Sequence, residues 1–260
     1  LEEAAYDELI LRSRVNDAAR NVMVAYATGA DLDHLGADVD VPRLEGETDA
    51  RYRLRVQQGY SLLAAAGPAN AYRAHALAAS AQILDVGIDS PQDGRVVVAV
   101  LAYRTVAEAE ATDGDLAIAS RLFNGITPPS GSVAVLAGAD SDVLAAVRNR
   151  LNAEDVRPLT DDVVVRPPDL HTYTVAAQLT VYAGPDSAVI RANALAALDA
   201  YLATIRRVGY DATRAGLIAA LAVPGVQNVR LDTPAADIVV ARDGLAVCTG
   251  VTVTLGGVDA

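Results

Sequence analysis

Apolar positions over 1–27 recur on a three-four alternation. Ala4, Leu11, Val15, Ala18, Val22 and Ala25 share one stripe with Glu8 as the polar intruder, and Glu2, Asp7, Arg12, Arg14 and Arg20 lie off it. The spacing predicts one helix, with Gly29 just past its end, where glycine enters the left-handed region cheaply. A narrow seam of small and β-branched side chains suits close docking against another helix. The alternative is that the seam packs on this chain's own core. Next, Asp31 is placed to cap a short turn over Leu32 to Leu35 that Gly36 ends. After Pro42, Thr48 or Asp49 caps a second helix running to about Ala66, with Tyr52, Leu54, Val56, Tyr60 and Leu63 inward. Gly67-Pro68 stops it, and a third helix covers Ala69 to Ser80.

The period then shortens to two. Ala81 to Ile88 and the Val-rich Arg95 to Ala102 read as strands around the turn cluster Ser90 to Gly94. Asp115 to Leu122 reads as a short helix, Thr127 to Gly131 as a turn, and Ser132 to Leu136 as a strand, together resembling an inserted hairpin. A helix over Asp142 to Leu151 follows, then strands at Asp162 to Arg166 and Thr172 to Ala183 around Pro167-Pro168. Gly184-Pro185-Asp186 opens a long helix to about Arg207, with Val189, Ile190, Ala194, Leu195, Leu198 and Leu202 on one face. Helix Arg214 to Ala222 and extended segments Gly225 to Leu231 and Asp237 to Ala241 echo the earlier helix–strand–turn–strand order. Helices segregated from strand pairs indicate an α+β fold. The expected organisation is an N-terminal helical arm over 1–66, a first α+β lobe with the inserted hairpin over 67–140, and a second α+β lobe over 141–260.

Composition narrows the function. The chain has 260 residues, 52% apolar, with no Trp and one Phe, Phe123, which favours close packing over deep aromatic pockets. Its formal net charge is −12 and all its basic residues are Arg, so nucleic-acid phosphates are not an expected partner. Cys248 is the single cysteine, set in a Val/Thr run, and reads as a buried inert thiol. No uninterrupted apolar run approaches the ~18 residues of a membrane span, and no secretory leader pattern opens the chain. Leu1 is not Met, so a start further upstream is expected.

No constellation assembles into an active site. Asp31, Asp33 and His34 form the one tight acid/His group; Asp31 and His34 share a helical face, but turn-forming Asp residues are commoner than two-carboxylate metal sites. Asp113-Gly114-Asp115 begins like a calcium loop, yet the remaining ligand spacing is missing. Asp161 and Asp162 precede a strand, where neighbours point to opposite faces, so they do not pair as acid and base. His75 and His171 lack the surroundings of a nucleophilic triad, and no Gly-rich phosphate loop follows a strand. No catalytic, metal or cofactor-binding residue is assigned.

One block is more distinctive. Between two helical runs stand Tyr26 to Asp33 and then Arg43, Gly46, Glu47, Asp49, Tyr52, Arg53 and Arg55, an Arg-x-x-Gly-Glu-x-Asp-x-x-Tyr-Arg-x-Arg pattern. Gly67-Pro68 with Ala71-Tyr72 and His75 to Leu77, the block Leu151 to Asp161, Gly184 to Asp186, Val223 to Gln227, and Cys248-Thr249 through Gly256-Gly257 follow in order. Together these resemble the baseplate J-like family of contractile phage tails; Tyr103 to about Thr127 departs from it as an apparent insertion. The resemblance implies a non-enzymatic wedge subunit located in the virion tail baseplate and assembled in the bacterial cytoplasm. In such baseplates two J-like subunits associate with one tail protein I through a trimeric bundle of N-terminal helices. A lysozyme-like small wedge protein joins them, and copies of the J-like subunit link into a ring around a central hub. Leu11, Val15, Ala18, Val22 and Ala25 are the expected helix interface. Arg51 and Arg55 are candidates for bidentate contacts with a neighbour's carboxylates; equally, they pair within the chain with Glu45, Glu47 or Asp49. The other readings are a carbohydrate- or host-surface-binding tail module, marked by an exposed aromatic cluster, and a cell-wall hydrolase, marked by a carboxylate in an apolar cleft.

Overall fold

The computed structural model describes residues 2–59, 68–92, 94–123, 126–154, 156–158, 160–184 and 186–259. The chain divides into two compact units, 1–81 with 149–160, and 82–148 with 161–260. These boundaries do not coincide with the sequence-based ones at 66 and 140.

The first unit carries helices α1 (Glu2–Asn21), α2 (Gly29–Ala37), α3 (Asp49–Gln57) and α4 (Ala69–Ala78). The expected helix over 1–27 is shorter. It ends at Asn21, and Met23 N–H donates to the Arg20 carbonyl while Tyr26 and Ala27 N–H groups donate to Met23. Gly29, with φ +52, opens α2 instead of closing α1, and Thr28 occupies the N-cap position expected of Asp31. Gly36 is not a terminator but a packing position inside α2. A Cβ there would lie 1.8 Å from Tyr52 Oη, so only glycine lets the ring sit against the helix. On α3, Thr48 Oγ accepts from Arg51 N at 3.5 Å, as its cap role requires. Tyr52 and Val56 are buried, but Leu54 is 56% exposed, because it projects from the opposite side of the helix. The expected continuation of α3 through Tyr60 and Leu63, and its stop at Gly67, lie outside the described residues. Leu32, Val41, Tyr52, Val56 and Ala27 form a small core with Val24, Leu35 and Val39 packed on it.

The second unit holds two sheets. β1 (Ile83–Gln92) and β2 (Arg95–Ala107) are antiparallel, from Gln92↔Arg95 to Ile83↔Ala102. β2 outlasts its predicted end at Ala102 because its second half has a different neighbour: Tyr103 to Ala107 pair antiparallel with β3 (Ser132–Leu136). The apparent insertion is therefore integral. β2 and β3 are joined by α5 (Asp113–Leu122) rather than by a tight turn, and Leu122 and Phe123 are buried with Leu101, Ala134, Leu245 and Val247. α6 (Asp142–Leu151) leads on to β4 (Asp162–Arg166), parallel to the first half of β2.

In the second sheet β5 (Asp169–Tyr182) is central, antiparallel to β6 (Val226–Thr233) and parallel to β7 (Gly244–Asp259). α7 (Ser187–Ile205) and α8 (Arg214–Leu221) pack their apolar sides here through Ile190, Ala194, Leu198, Leu217 and Leu221. Val189, expected inward, is 55% exposed, one position off the buried row. The sequence echo does not become a repeated hairpin. Ile238 makes one bridge to Ala212, Asp237 accepts from Arg214 N and Asp211 from Val240 N, so 237–241 is stitched to the entry of α8. β6 finds its partner in β5. α7 has the length and composition of a membrane-spanning helix, yet Arg191 and Asp199 interrupt it and its buried row faces the sheet core. Antiparallel pairs outnumber parallel ones, and the fold is α+β.

Candidate interaction site

The described α1 side chains from Ala5 onward are exposed, apart from half-buried Ile10. Leu11, Val15 and Ala18 form one apolar row on it; Val22 and Ala25, expected on the same helix, lie in the turn beyond Asn21 and are also exposed. Val22 is 71% exposed, and Tyr6 and Leu9 leave a second apolar area on the other side of the helix. The closest ion pair on α1, Glu8 with Arg12 at 2.5 Å, is fully at the surface and adds little stability. Leu11, Val15 and Ala18 are not part of this unit's small core.

What the chain does supply is a rigid base. Asn21 Nδ2, the last residue of α1, donates to Asp31 at 2.7 Å. Arg53 Nε donates to the Val24 carbonyl at 2.8 Å and its Nη2 to Ala27 at 2.6 Å, so one guanidinium holds the turn that leaves α1. Arg43 reaches Asp33 at 2.7 Å and Asp49 at 2.7 Å, and its guanidinium lies 4.4 Å from the Tyr52 ring centroid. Asp49 in turn accepts from Gly29 N at 2.9 Å. That amide, then Arg43, holds the Asp49 carboxyl below its ordinary pKa. Burial opposes the charge on Arg43, but Asp33 and Asp49 outweigh it and the guanidinium is held above its usual value. Tyr52 Oη donates to the Val41 carbonyl at 2.7 Å, and burial raises its pKa, with Asp33 adding to the effect.

Glu47 organises the rest. Its side chain is wholly inaccessible; one oxygen accepts from Arg51, the other from Arg55 Nη1 at 2.6 Å and from Leu44 N at 3.1 Å. Arg55 also donates to the Pro42 carbonyl at 3.2 Å. Arg51 Nη2 continues to the carbonyls of Leu77 at 2.9 Å and Ser80 at 2.5 Å, at the end of α4. Of the two partners considered for Arg51 and Arg55, the structure forms the intrachain one, with Glu47. Arg55 is 5% exposed and its Nη1 is shared between Glu47 and the Pro42 carbonyl, while its buried Nε has no hydrogen-bond partner among the described residues. The four-residue step from Arg51 to Arg55 stacks both on one face of α3, and Glu47, just before the Thr48 cap, pairs with each. Arg53's reach back to the α1 exit, 26 and 29 residues away, had no signal in the sequence.

The remaining candidates have structural employment. Asp31 and Asp33 serve Asn21 and Arg43. Thr112 and Asp115 form a capping box at the start of α5, which accounts for Asp113-Gly114-Asp115. Asp162 pairs with Arg95 at 2.9 Å. Cys248 is buried, and burial pushes its thiol pKa up. His75 is buried on α4, and His171 stands on β5.

The Baseplate J-like N-terminal domain matches residues 1–47, and the Baseplate J-like protein C-terminal domain matches 173–254. The first match ends inside the Arg/Glu block, and the second takes in β5 to most of β7. Baseplate protein J of Escherichia phage P2 is 39% identical over 274 residues, covering all of this chain and 81% of the relative. That full-length similarity, with both terminal domains matched, places the chain in the baseplate J-like family of phage-tail baseplate proteins.

Proposed function

We propose that the chain is a non-enzymatic wedge subunit of a contractile tail baseplate, and that α1 carries it into the wedge. The observation behind this reading is the pairing of an apolar row left exposed on α1 with a polar clasp at its base. Leu11, Val15 and Ala18, with Val22 and Ala25 at its root, then face the N-terminal helices of tail protein I and of a second copy of this chain. The lysozyme-like small wedge protein and the ring of like subunits belong to the same assembly, in the virion baseplate and built in the bacterial cytoplasm. Exposed Tyr6, Tyr26, Tyr182 and Tyr210 stand on separate segments, which does not favour the sugar-binding alternative.

Co-expression with the adjacent tail protein I and mass determination of the purified complex test the proposal. The expected species contains two copies of this chain and one partner. Leu11→Asp with Val22→Asp should abolish that species while shifting the free chain's stability by less than about 0.5 kcal/mol, since both positions are exposed. A chain that remains monomeric beside tail protein I, or a double variant that still assembles, ends the reading.

A further inference from the structure

A cavity of about 100 Å³ opens in the second unit between the last turn of α5, the end of α7 and strands β5 and β7. Its lining includes Arg121, Tyr173, Asp199, Arg206 and Cys248. Arg206, just past α7, is half-buried and donates through Nη1 to the Arg121 carbonyl at 2.9 Å, its one hydrogen bond among the described residues. Burial alone lowers its pKa; no carboxylate offsets it. Asp199, the carboxylate at the cavity, is matched instead with Arg121 at 3.4 Å. Tyr173 is 7% exposed, and its hydroxyl has no hydrogen-bond partner among the described residues. Burial, with Cys248 and Tyr201 nearby, raises the Tyr173 pKa, so the hydroxyl stays a donor at neutral pH. The Cys248 thiol is likewise kept neutral by burial and points a weak bond at the Gly250 carbonyl, 3.4 Å away.

Two guanidiniums against one carboxylate leave a single positive charge in a chain whose net charge is −12. A half-buried guanidinium using one of its five donors and a tyrosine hydroxyl line the same cavity, so hydrogen-bond donors remain open to it. We propose that this cavity binds one carboxylate group, held in the planar fork of Arg206 and by the Tyr173 hydroxyl. A carboxylate brings the one negative charge that balances the lining, and its two oxygens match the guanidinium geometry. A phosphate dianion would overshoot the charge. The carboxylate is presented either by a small free acid or by an Asp or Glu tip of a neighbouring chain. The inference does not depend on the wedge assignment.

Titration of the whole chain with acetate, and separately with N-acetylglutamate amide, at constant ionic strength set with chloride, tests this by following the Arg206 Nε–H resonance. The expected result is saturable binding of at least one probe, with a Kd on the order of millimolar for so small a ligand. Arg206→Met should weaken it about tenfold or more and Tyr173→Phe by less, since the charged fork contributes more than the hydroxyl. Saturation by acetate alone assigns a free acid; saturation by the blocked glutamate assigns a neighbour's side chain. No saturation by either probe up to about 100 mM overturns the proposal. So does binding, followed by calorimetry, that is unchanged in a folded Arg206→Met variant.

Discussion

Residues 21–58 and the layer of β5, β6 and β7 under α7 and α8 reach order by opposite means. The first buries a handful of apolar side chains, Ala27, Leu32, Val41, Tyr52 and Val56, and surrounds them with Arg43, Arg51, Arg53 and Arg55, each donating to a defined oxygen. The second buries a long aliphatic set including Val175, Leu179, Leu198, Leu217 and Leu221 with few ion pairs. Directional bonds fix positions sharply but fail when one partner goes, because the other is left charged and dry. Aliphatic packing fails in proportion to the volume removed. The polar region is the one at the root of α1, where Asn21 and Arg53 tie the turn that leaves the helix.

The largest expected effect breaks the comparison at its polar end. Glu47→Ala strands Arg51 and Arg55 together, and should cost about 3–5 kcal/mol of local stability around α3, read as lost amide protection from Leu44 to Gln58. Replacing all three residues, with Glu47→Leu, Arg51→Met and Arg55→Met, should recover much of that loss. If the triple variant is no better than Glu47→Ala, the cost lies in something other than orphaned charge. At the aliphatic end, Leu198→Ala, at a fully buried position, should cost about 3 kcal/mol in urea unfolding through the cavity it leaves. A matching loss from the exposed Val189→Ala would contradict the placement of that helix face.

The two regions were also unequally legible in the sequence. Periodicity located α5, α6, α7, α8 and most strands, since these depend on local alternation that a core face imposes. Strand partners were not legible: nothing local to Val226 to Leu231 says that it pairs back to β5 rather than forward to 237–241. β2's second half was missed because Tyr103 to Ala107 pairs with a strand beyond a helix. In the polar region the helix cap at Thr48 and the Glu47–Arg51 step were readable. Gly36 was misread as a stop, since its requirement comes from a ring sixteen residues later in the chain, Tyr52. Arg53 could be quoted as part of a motif but not explained, because both its acceptors are backbone carbonyls that any residue type provides.

A smaller effect sharpens the contrast where the two modes of order meet. Gly36→Ala drives a methyl into Tyr52 Oη and the ring carbon behind it, 2.7 Å away, and should cost about 1–3 kcal/mol by overpacking. Tyr52→Phe removes the hydroxyl contact and its bond to Val41. The double variant should therefore lose less than the sum of the two single changes, in a double-mutant cycle on urea midpoints. Strict additivity would mean that residue 36 and the ring do not touch.

The gentlest test uses acid. The Asp49 carboxyl sits below its ordinary pKa because the Gly29 amide and Arg43 favour its charged form. Its contribution is therefore fully present above the usual aspartate value of about 3.9, and is lost as pH falls through the lower folded value. Acidification into that window should loosen the start of α2 before it touches the aliphatic layer, where the buried contacts carry no charge. The Gly29 amide, bonded to Asp49, should lose hydrogen-exchange protection first. Asp49→Asn keeps an acceptor for that amide but drops the charge facing Arg43, so its protection should start lower at neutral pH and change less with acid. An Asn variant that tracks the wild-type acid profile would assign the sensitivity to another carboxylate, and the Arg43–Asp33 pair would be the next to replace.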